Sequence, residues 1–237
     1  MKKLPLIPTL MVLFFMVLMS SMGVWQIKRA AEKEVLLELL ADENITQITH
    51  RKQIKDLPKY ANIKLNGHFF NAPQLLLDNQ VNEGKQGYHA FTPFIVDGLN
   101  LIIMVNRGWL VKNKFTDEQL EIDSKPITLL GKLNTPPQVG IQLGEIELIK
   151  ERAIQVMTYY EEDKVSSLVQ ERLCKSLDCV VSDKILLMEK SQPQGFNREW
   201  NPIVMQPSKH IAYAVQWFAM TLVLIVIFIY WLRKQVN

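Results

Sequence analysis

The sequence predicts a membrane protein in which two transmembrane helices flank an exported, mostly-β domain, barrel-like and carrying one helix. Three observations lead there. Leu4–Ile27 and Ile211–Leu232 contain no charged side chain, and with a rise of about 1.5 Å per residue the second run is roughly 33 Å long, enough to cross a hydrocarbon core. Between them lie short apolar and β-branched runs cut by turn signals. The third observation is charge placement. Lys2 and Lys3 precede the first run and Arg233 and Lys234 follow the last, while the other 23 of the 27 basic residues lie among all 24 acidic ones. Positive charge in excess at both ends places both termini in the cytoplasm and the middle of the chain across the membrane.

Residues 4–27 form the first expected span. The run is longer than the roughly 7–15 residues of a signal-peptide core, and Ser21-Met22-Gly23 is a weak cleavage signal, so an uncleaved anchor is expected. Pro5 and Pro8 fall in its first turns, where a missing backbone donor costs little. The lack of an Arg- and Ser-rich leader points to a bacterial inner membrane rather than a mitochondrion. Residues 28–57 are expected as a helical connector, with helical pattern to about Leu40 and a break at Asp42-Glu43-Asn44. Trp25 and Arg29, at i and i+4, share a face at the exported interface. Such a pair also marks the edge of any spanning helix.

Residues 58–207 carry the β texture. Strands are expected at Tyr60–Leu65, Gln74–Leu77, His89–Val96, Leu99–Val105, Ile127–Leu133, Arg152–Tyr159 and Val180–Met188. Asn66-Gly67 reads as a turn or bulge, and Asp97-Gly98 as a hairpin turn. Lys164–Leu173, with Val165, Leu168, Val169 and Leu173 at helical spacing, is the expected helix. Gln192–Pro207 reads as a loop returning the chain to the membrane. Cys174 and Cys179 fit neither a C-x-x-C redox motif nor a four-ligand zinc site; a disulfide and two free thiols both remain open.

Residues 208–232 form the second span and 233–237 a cytoplasmic tail. In its first two turns His210, Tyr213 and Trp217 fall at i, i+3 and i+7 with Gln216 at the edge, a face too polar for lipid. Aromatic residues and a histidine at headgroup depth also serve as plain interfacial anchors. The same set suits a haem: His210 as axial ligand and sole metal-binding candidate, Tyr213 and Trp217 as walls, Lys209 and Arg29 as propionate partners. No G-x-S-x-G, H-E-x-x-H, P-loop or G-x-G-x-x-G is present, so hydrolytic and nucleotide chemistry find no support and the chain reads as a non-enzyme. No basic stripe stands apart from matching acids, which argues against nucleic acid.

Gly23-Val24-Trp25-Gln26-Ile27-Lys28-Arg29, Leu77-Asp78-Asn79, Gly87-Tyr88, Thr92-Pro93, Val105-Asn106-Arg107-Gly108-Trp109 and His210-x-x-Tyr213-Ala214-x-Gln216-Trp217 together resemble the surfeit locus protein 1 family. The likeness covers nearly the whole chain. It implies a cytochrome c oxidase assembly factor with two spans around an exported domain, periplasmic in a bacterium. It implies haem a as the cofactor, bound at the membrane interface, with His210 as the ligand. The candidate cofactor-binding set is then His210, Tyr213, Gln216 and Trp217 from the second span and Trp25 and Arg29 from the first. The two faces are expected to be neighbours. Implied partners are the oxidase's catalytic subunit, the machinery that makes or delivers haem a, and membrane lipid. The alternative is a haem-free, membrane-tethered scaffold that binds oxidase subunits. Glu32-Lys33-Glu34 and Val111-Lys112 depart from the family's pattern, where an aromatic and a proline are common, and leave the oxidase and haem type open. Arg107 has two readings, a structural one at the end of the strand Leu99–Val105 and one near the membrane, pairing with a propionate or an acidic partner surface.

Overall fold

A computed structural model describes residues 5–236 except 113, 139, 141, 143, 175–178, 201 and 204. Lys2, Lys3, Leu4 and Asn237, with Asn201 and Val204 of the expected return loop, therefore lie outside the described residues. The chain divides into two compact units, Asp42–Trp200 and the paired segments Met1–Ala41 and Asn201–Asn237.

The second of these units is a helix pair. Helix α1 (Leu6–Ala41) and helix α5 (Pro207–Val236) are both long and apolar enough to cross a membrane. Helix α1 does not stop at the expected membrane edge but runs on through Lys28 to Ala41, because Ala30, Ala31 and the Leu-rich stretch after them favour helix throughout. Small residues bring the two helices together. Gly23 and Ala30 on α1, and Ala214 on α5, are buried, and a methyl group at Gly23 would stand 2.7 Å from the Phe218 ring. Close approach at small residues is the usual basis of helix packing in lipid, where no hydrophobic force draws helices together.

The globular unit opens with β1 (Ile45–Gln47) and α2 (Arg51–Asp56), so the expected connector of residues 28–57 is helical only in part and the folded unit begins at Asp42 rather than at 58. There follow β2 (Asn62–Phe69), β3 (Gln74–Asn82), β4 (Lys85–Val96), β5 (Leu101–Val111), α3 (Asp117–Leu120), β6 (Ile127–Asn134), β7 (Ile154–Met157), α4 (Glu162–Leu173) and β8 (Val180–Met188). The sheet order is β1-β2-β6-β8-β5-β4-β3-β7, with β2 also pairing β4. That extra pairing closes β2, β6, β8, β5 and β4 into a five-stranded ring, leaving β1 attached to β2 and β3–β7 extending from β4. All ring pairings are antiparallel except β5–β8.

Alternation along β2, in which every second residue is buried, turns Ile63, Leu65 and Phe69 inward. They meet Phe94, Val96, Ile103, Val105, Leu129, Leu133, Leu186 and Met188 in one core. Phe69 and Phe94 pack edge to face at 5.0 Å. Asn66-Gly67, expected as a turn or bulge, lies inside β2. Gly67 pairs with Val96 of β4 on one side and Ile127 of β6 on the other. A Cβ there would collide with the Ile95 carbonyl oxygen and the Phe94 ring. The glycine is the point at which β2 changes partners and the ring shuts.

Strand β5 also outruns its expectation, continuing through Asn106-Arg107-Gly108-Trp109 to Val111. Its second half gains a partner from far along the chain. Trp109 and Asn197 exchange backbone hydrogen bonds at 2.7 and 3.1 Å, and Phe196 N–H donates to the Arg107 carbonyl at 2.8 Å. Gly108, at φ +116°, permits this contact, for a side chain would meet the Asn197 oxygen at 2.6 Å. The stretch expected as a return loop is thus folded as far as Asn197. Helix α4 buries Val165, Leu168, Val169 and Leu173, the stripe its 3.6-residue periodicity requires. Cys174 and Cys179 are joined in a disulfide between α4 and β8.

Candidate functional site

The polar face of the helix pair is built around one hydrogen bond. His210, in the first turn of α5, is 9% exposed, and its Nδ1 lies 2.7 Å from Oε1 of Gln26 on α1. A carbonyl oxygen can only accept, so this contact is the hydrogen bond made by the tautomer that carries its proton on Nδ1. In the neutral ring the lone pair is then on Nε2, which has no hydrogen-bond partner among the described residues. Gln26 is carried to this position by the face that holds Gly23 and Ala30, three residues before it and four after. On α5 the matching face is His210, Ala214, Trp217 and Thr221, of which Trp217 is half-buried and the others buried. Thr221 returns its hydroxyl to the Trp217 carbonyl at 3.0 Å, which satisfies that group within the helix.

The remaining candidates are not gathered there. Tyr213 is 45% exposed and Gln216 is exposed on the side of α5 turned from α1. Trp25 is 49% exposed, and Arg29 lies 6.0 Å over its ring while pairing with Glu32 at 2.6 Å. The expected meeting of a Trp25–Arg29 face with a His210–Tyr213–Trp217 face is therefore replaced by a Gly23–Gln26–Ala30 face meeting His210–Ala214–Trp217. The physical reason is bulk: helices approach where side chains are small, and Trp25, Arg29 and Tyr213 are driven to the flanks. An open cleft of about 560 Å³ on the helix pair is lined mainly by α1 residues, including Ser20, Ser21, Trp25 and Lys28, with Thr221 and Ile225 of α5. Of the candidate residues only Trp25 borders it. Among the described residues no three His, Cys, Asp or Glu side chains gather into a metal cluster.

Gln26 is the residue that sequence reasoning missed. A signal existed in the Gly23-x-x-Gln26-x-x-x-Ala30 pattern, which puts an amide between two small residues on one helix face.

In the globular unit Arg107 takes its structural reading. It is 1% exposed and donates to Gln74 Oε1 at 3.0 Å, the Leu120 carbonyl at 2.7 Å and the Gln194 carbonyl at 3.0 Å. The Phe196 ring lies 4.9 Å from the guanidinium. Burial first, and Arg198 second, push its pKa down to about 10. Its Nε and Nη1 donors fix β3, α3 and the Gln194 carbonyl to β5. Beside it His89, whose Nδ1 accepts from the Asn106 amide at 2.8 Å and whose ring tilts against Trp200 at 5.8 Å, is pushed by burial down to about 4.

Residues 13–222 match the SURF1 family. The chain is 27% identical to a SURF1-like protein of Rickettsia bellii over 224 residues, which cover 92% of this chain and 88% of that protein. It is 28% identical over 104 residues to the cytochrome oxidase assembly protein SHY1 of Saccharomyces cerevisiae, covering 39% of this chain and 25% of SHY1. Surfeit locus protein 1 of Xenopus tropicalis is 28% identical over 117 residues, 41% of this chain and 38% of that protein. With a family match that runs from within the first apolar helix, across the barrel, into the first half of the last helix, this chain belongs to the SURF1 family.

Proposed function

We propose that this chain binds haem a at the paired apolar helices and aids its insertion into the catalytic subunit of a haem–copper cytochrome c oxidase. Family membership and the assembly role named for the yeast relative support the oxidase half of this reading. The haem half rests on one observation, the buried His210 whose Nδ1 is engaged by Gln26. The donor set fits the cargo. A neutral imidazole with its proton held on Nδ1 offers Nε2 to iron, and Trp217 on the same face supplies an apolar wall. His210 would be the ligand with Trp217 beside it, while Tyr213, Gln216, Trp25 and Arg29, exposed on the flanks, would be reached only by a haem that extends beyond that face. A carrier must release what it holds, and one imidazole among exposed neighbours suits temporary binding. The chain's part is holding and orienting rather than turnover.

The location that follows is a bacterial inner membrane, with both termini cytoplasmic and the barrel periplasmic. The ends' excess of basic residues and the Cys174–Cys179 disulfide, which persists in oxidising compartments, support that orientation.

The test is to purify the protein in mild detergent from cells that make haem a and to record its absorption spectrum beside that of His210→Ala. A haem a spectrum that the substitution abolishes or shifts is the expected result. The exposure of Trp25, Arg29 and Tyr213 favours the second reading, a haem-free scaffold whose barrel binds oxidase subunits. Parent protein that restores oxidase assembly while carrying no haem would establish it.

A further inference from the structure

We propose that Gln26 is the positioning residue of the site, selecting the His210 tautomer whose Nε2 is free to bind iron. This rests on the reading of His210 as axial ligand. The pairing is specific: it joins two helices across 184 residues of chain at 2.7 Å, and it involves a histidine that is 9% exposed. An amide in the wall of an apolar helix pair is costly unless it is partnered, so its presence calls for a reason. A neutral imidazole can carry its proton on either nitrogen. With the proton on Nε2, the only lone pair left for iron would be on Nδ1, the nitrogen that stands 2.7 Å from Gln26 Oε1 and is blocked by it. With Nδ1–H donating to Gln26 Oε1, the lone pair is on Nε2, the nitrogen that Gln26 does not engage, and the ring's orientation is held.

The choice of an amide over a carboxylate carries chemistry of its own. A carboxylate acceptor would pull the Nδ1 proton toward itself, make the ring a stronger electron donor and favour ferric iron. A neutral amide fixes the tautomer without that extra donation and adds no charge at membrane depth. Gln26 thus leaves His210 a moderate ligand, in keeping with a site that gives up its haem.

The experiment uses the full chain in detergent micelles, 15N-labelled at histidine and free of haem, with His210→Ala serving to assign the His210 ring signals. The parent is expected to show a protonated Nδ1 and an unprotonated Nε2. Gln26→Leu is expected to move the proton toward Nε2, and Gln26→Glu, which keeps the acceptor, to retain it on Nδ1. The same proteins are then titrated with haemin, and the midpoint potential of the bound iron is read. Gln26→Leu should weaken binding about 10–100-fold; Gln26→Glu should bind and shift the potential downward. Should Gln26→Leu fail to fold, the tautomer and potential of Gln26→Glu still decide the matter. An unchanged tautomer and affinity in Gln26→Leu, with binding lost in His210→Ala, would overturn the role of Gln26 and leave His210 as ligand. Equal haemin binding by the parent and His210→Ala would overturn both, since the ligand would then lie elsewhere, even with the tautomer set as expected.

Discussion

Arg107 reaches across the barrel wall to Gln74, its Nη1 3.0 Å from the amide oxygen, and the same nitrogen donates to the Leu120 carbonyl at 2.7 Å. One side chain thereby satisfies acceptors on β3 and at the end of α3 that no water reaches. Truncating it to Met would remove its hydrogen bonds to Gln74 Oε1, the Leu120 carbonyl and the Gln194 carbonyl, although Thr92 still donates to Gln74 Oε1 and Gln74 Nε2 to Leu120. A lost hydrogen bond costs about 0.5–1.5 kcal/mol net, so Arg107→Met, which loses three, is expected to destabilise the globular unit by about 2–4 kcal/mol. Urea unfolding followed by tryptophan fluorescence measures this, and a loss under 1 kcal/mol would show that the network is dispensable.

His89 makes stability depend on pH. Burial holds its pKa near 4 in the folded chain against 6.5 when free. Between those values the unfolded chain binds a proton that the folded chain refuses. Stability is therefore fully present above about pH 6.5 and is lost as pH falls toward 4, by up to about 3 kcal/mol. Unfolding midpoints taken from pH 7 to pH 4 should fall less steeply for His89→Gln than for the parent.

Gly67→Ala tests the closure of the ring. The added methyl meets the Ile95 backbone oxygen, which cannot swing aside as a side chain could. Overpacking of this kind costs about 1–3 kcal/mol and more where the backbone must move. The expected signature is faster amide exchange at the β2–β4 pairs Gly67–Val96 and Phe69–Phe94, while the β2–β6 pairs nearer Asn62 stay protected. Uniform loss of protection would mean that the ring opens as a whole.

In the helix pair, Gly23→Leu would push the Phe218 ring away from α1 and with it the His210 face. The haem content of purified protein, read as the ratio of haem to protein absorbance, is expected to fall at least tenfold under the proposed function. The urea midpoint of the globular unit, which does not include this residue, should not move. Full haem content in this variant would argue that close helix packing is irrelevant to binding.

Much of this architecture is legible in the sequence wherever a local period sets it. The two apolar runs, the α4 stripe Val165–Leu168–Val169–Leu173, the β6 and β8 strands and the Asp97-Gly98 hairpin all follow from spacing and turn residues. What escapes is set by partners far away in the chain. The continuation of β5 through Gly108 depends on Asn197, and the place of Gly67 inside β2 depends on Ile95; neither can be seen from the neighbouring residues. The site shows the same division. Polarity singles out His210, yet a search for polar and aromatic residues selects Tyr213, Gln216 and Trp25, whereas helix contact is dictated by the small Gly23, Ala30 and Ala214 and brings Gln26 with them.

The separation of Gln26 from His210 also sets a timetable. Ribosomes add about 5–20 residues each second, so the 184 residues between the two take about 10–40 s to make. For that interval the first helix waits with an unmated amide, while the ring cannot close until β8, the last strand, has been synthesised. Only a chain completed through α5 can mate Gln26, so the hydrogen bond records that synthesis has passed the barrel, and a truncated product cannot present the paired histidine.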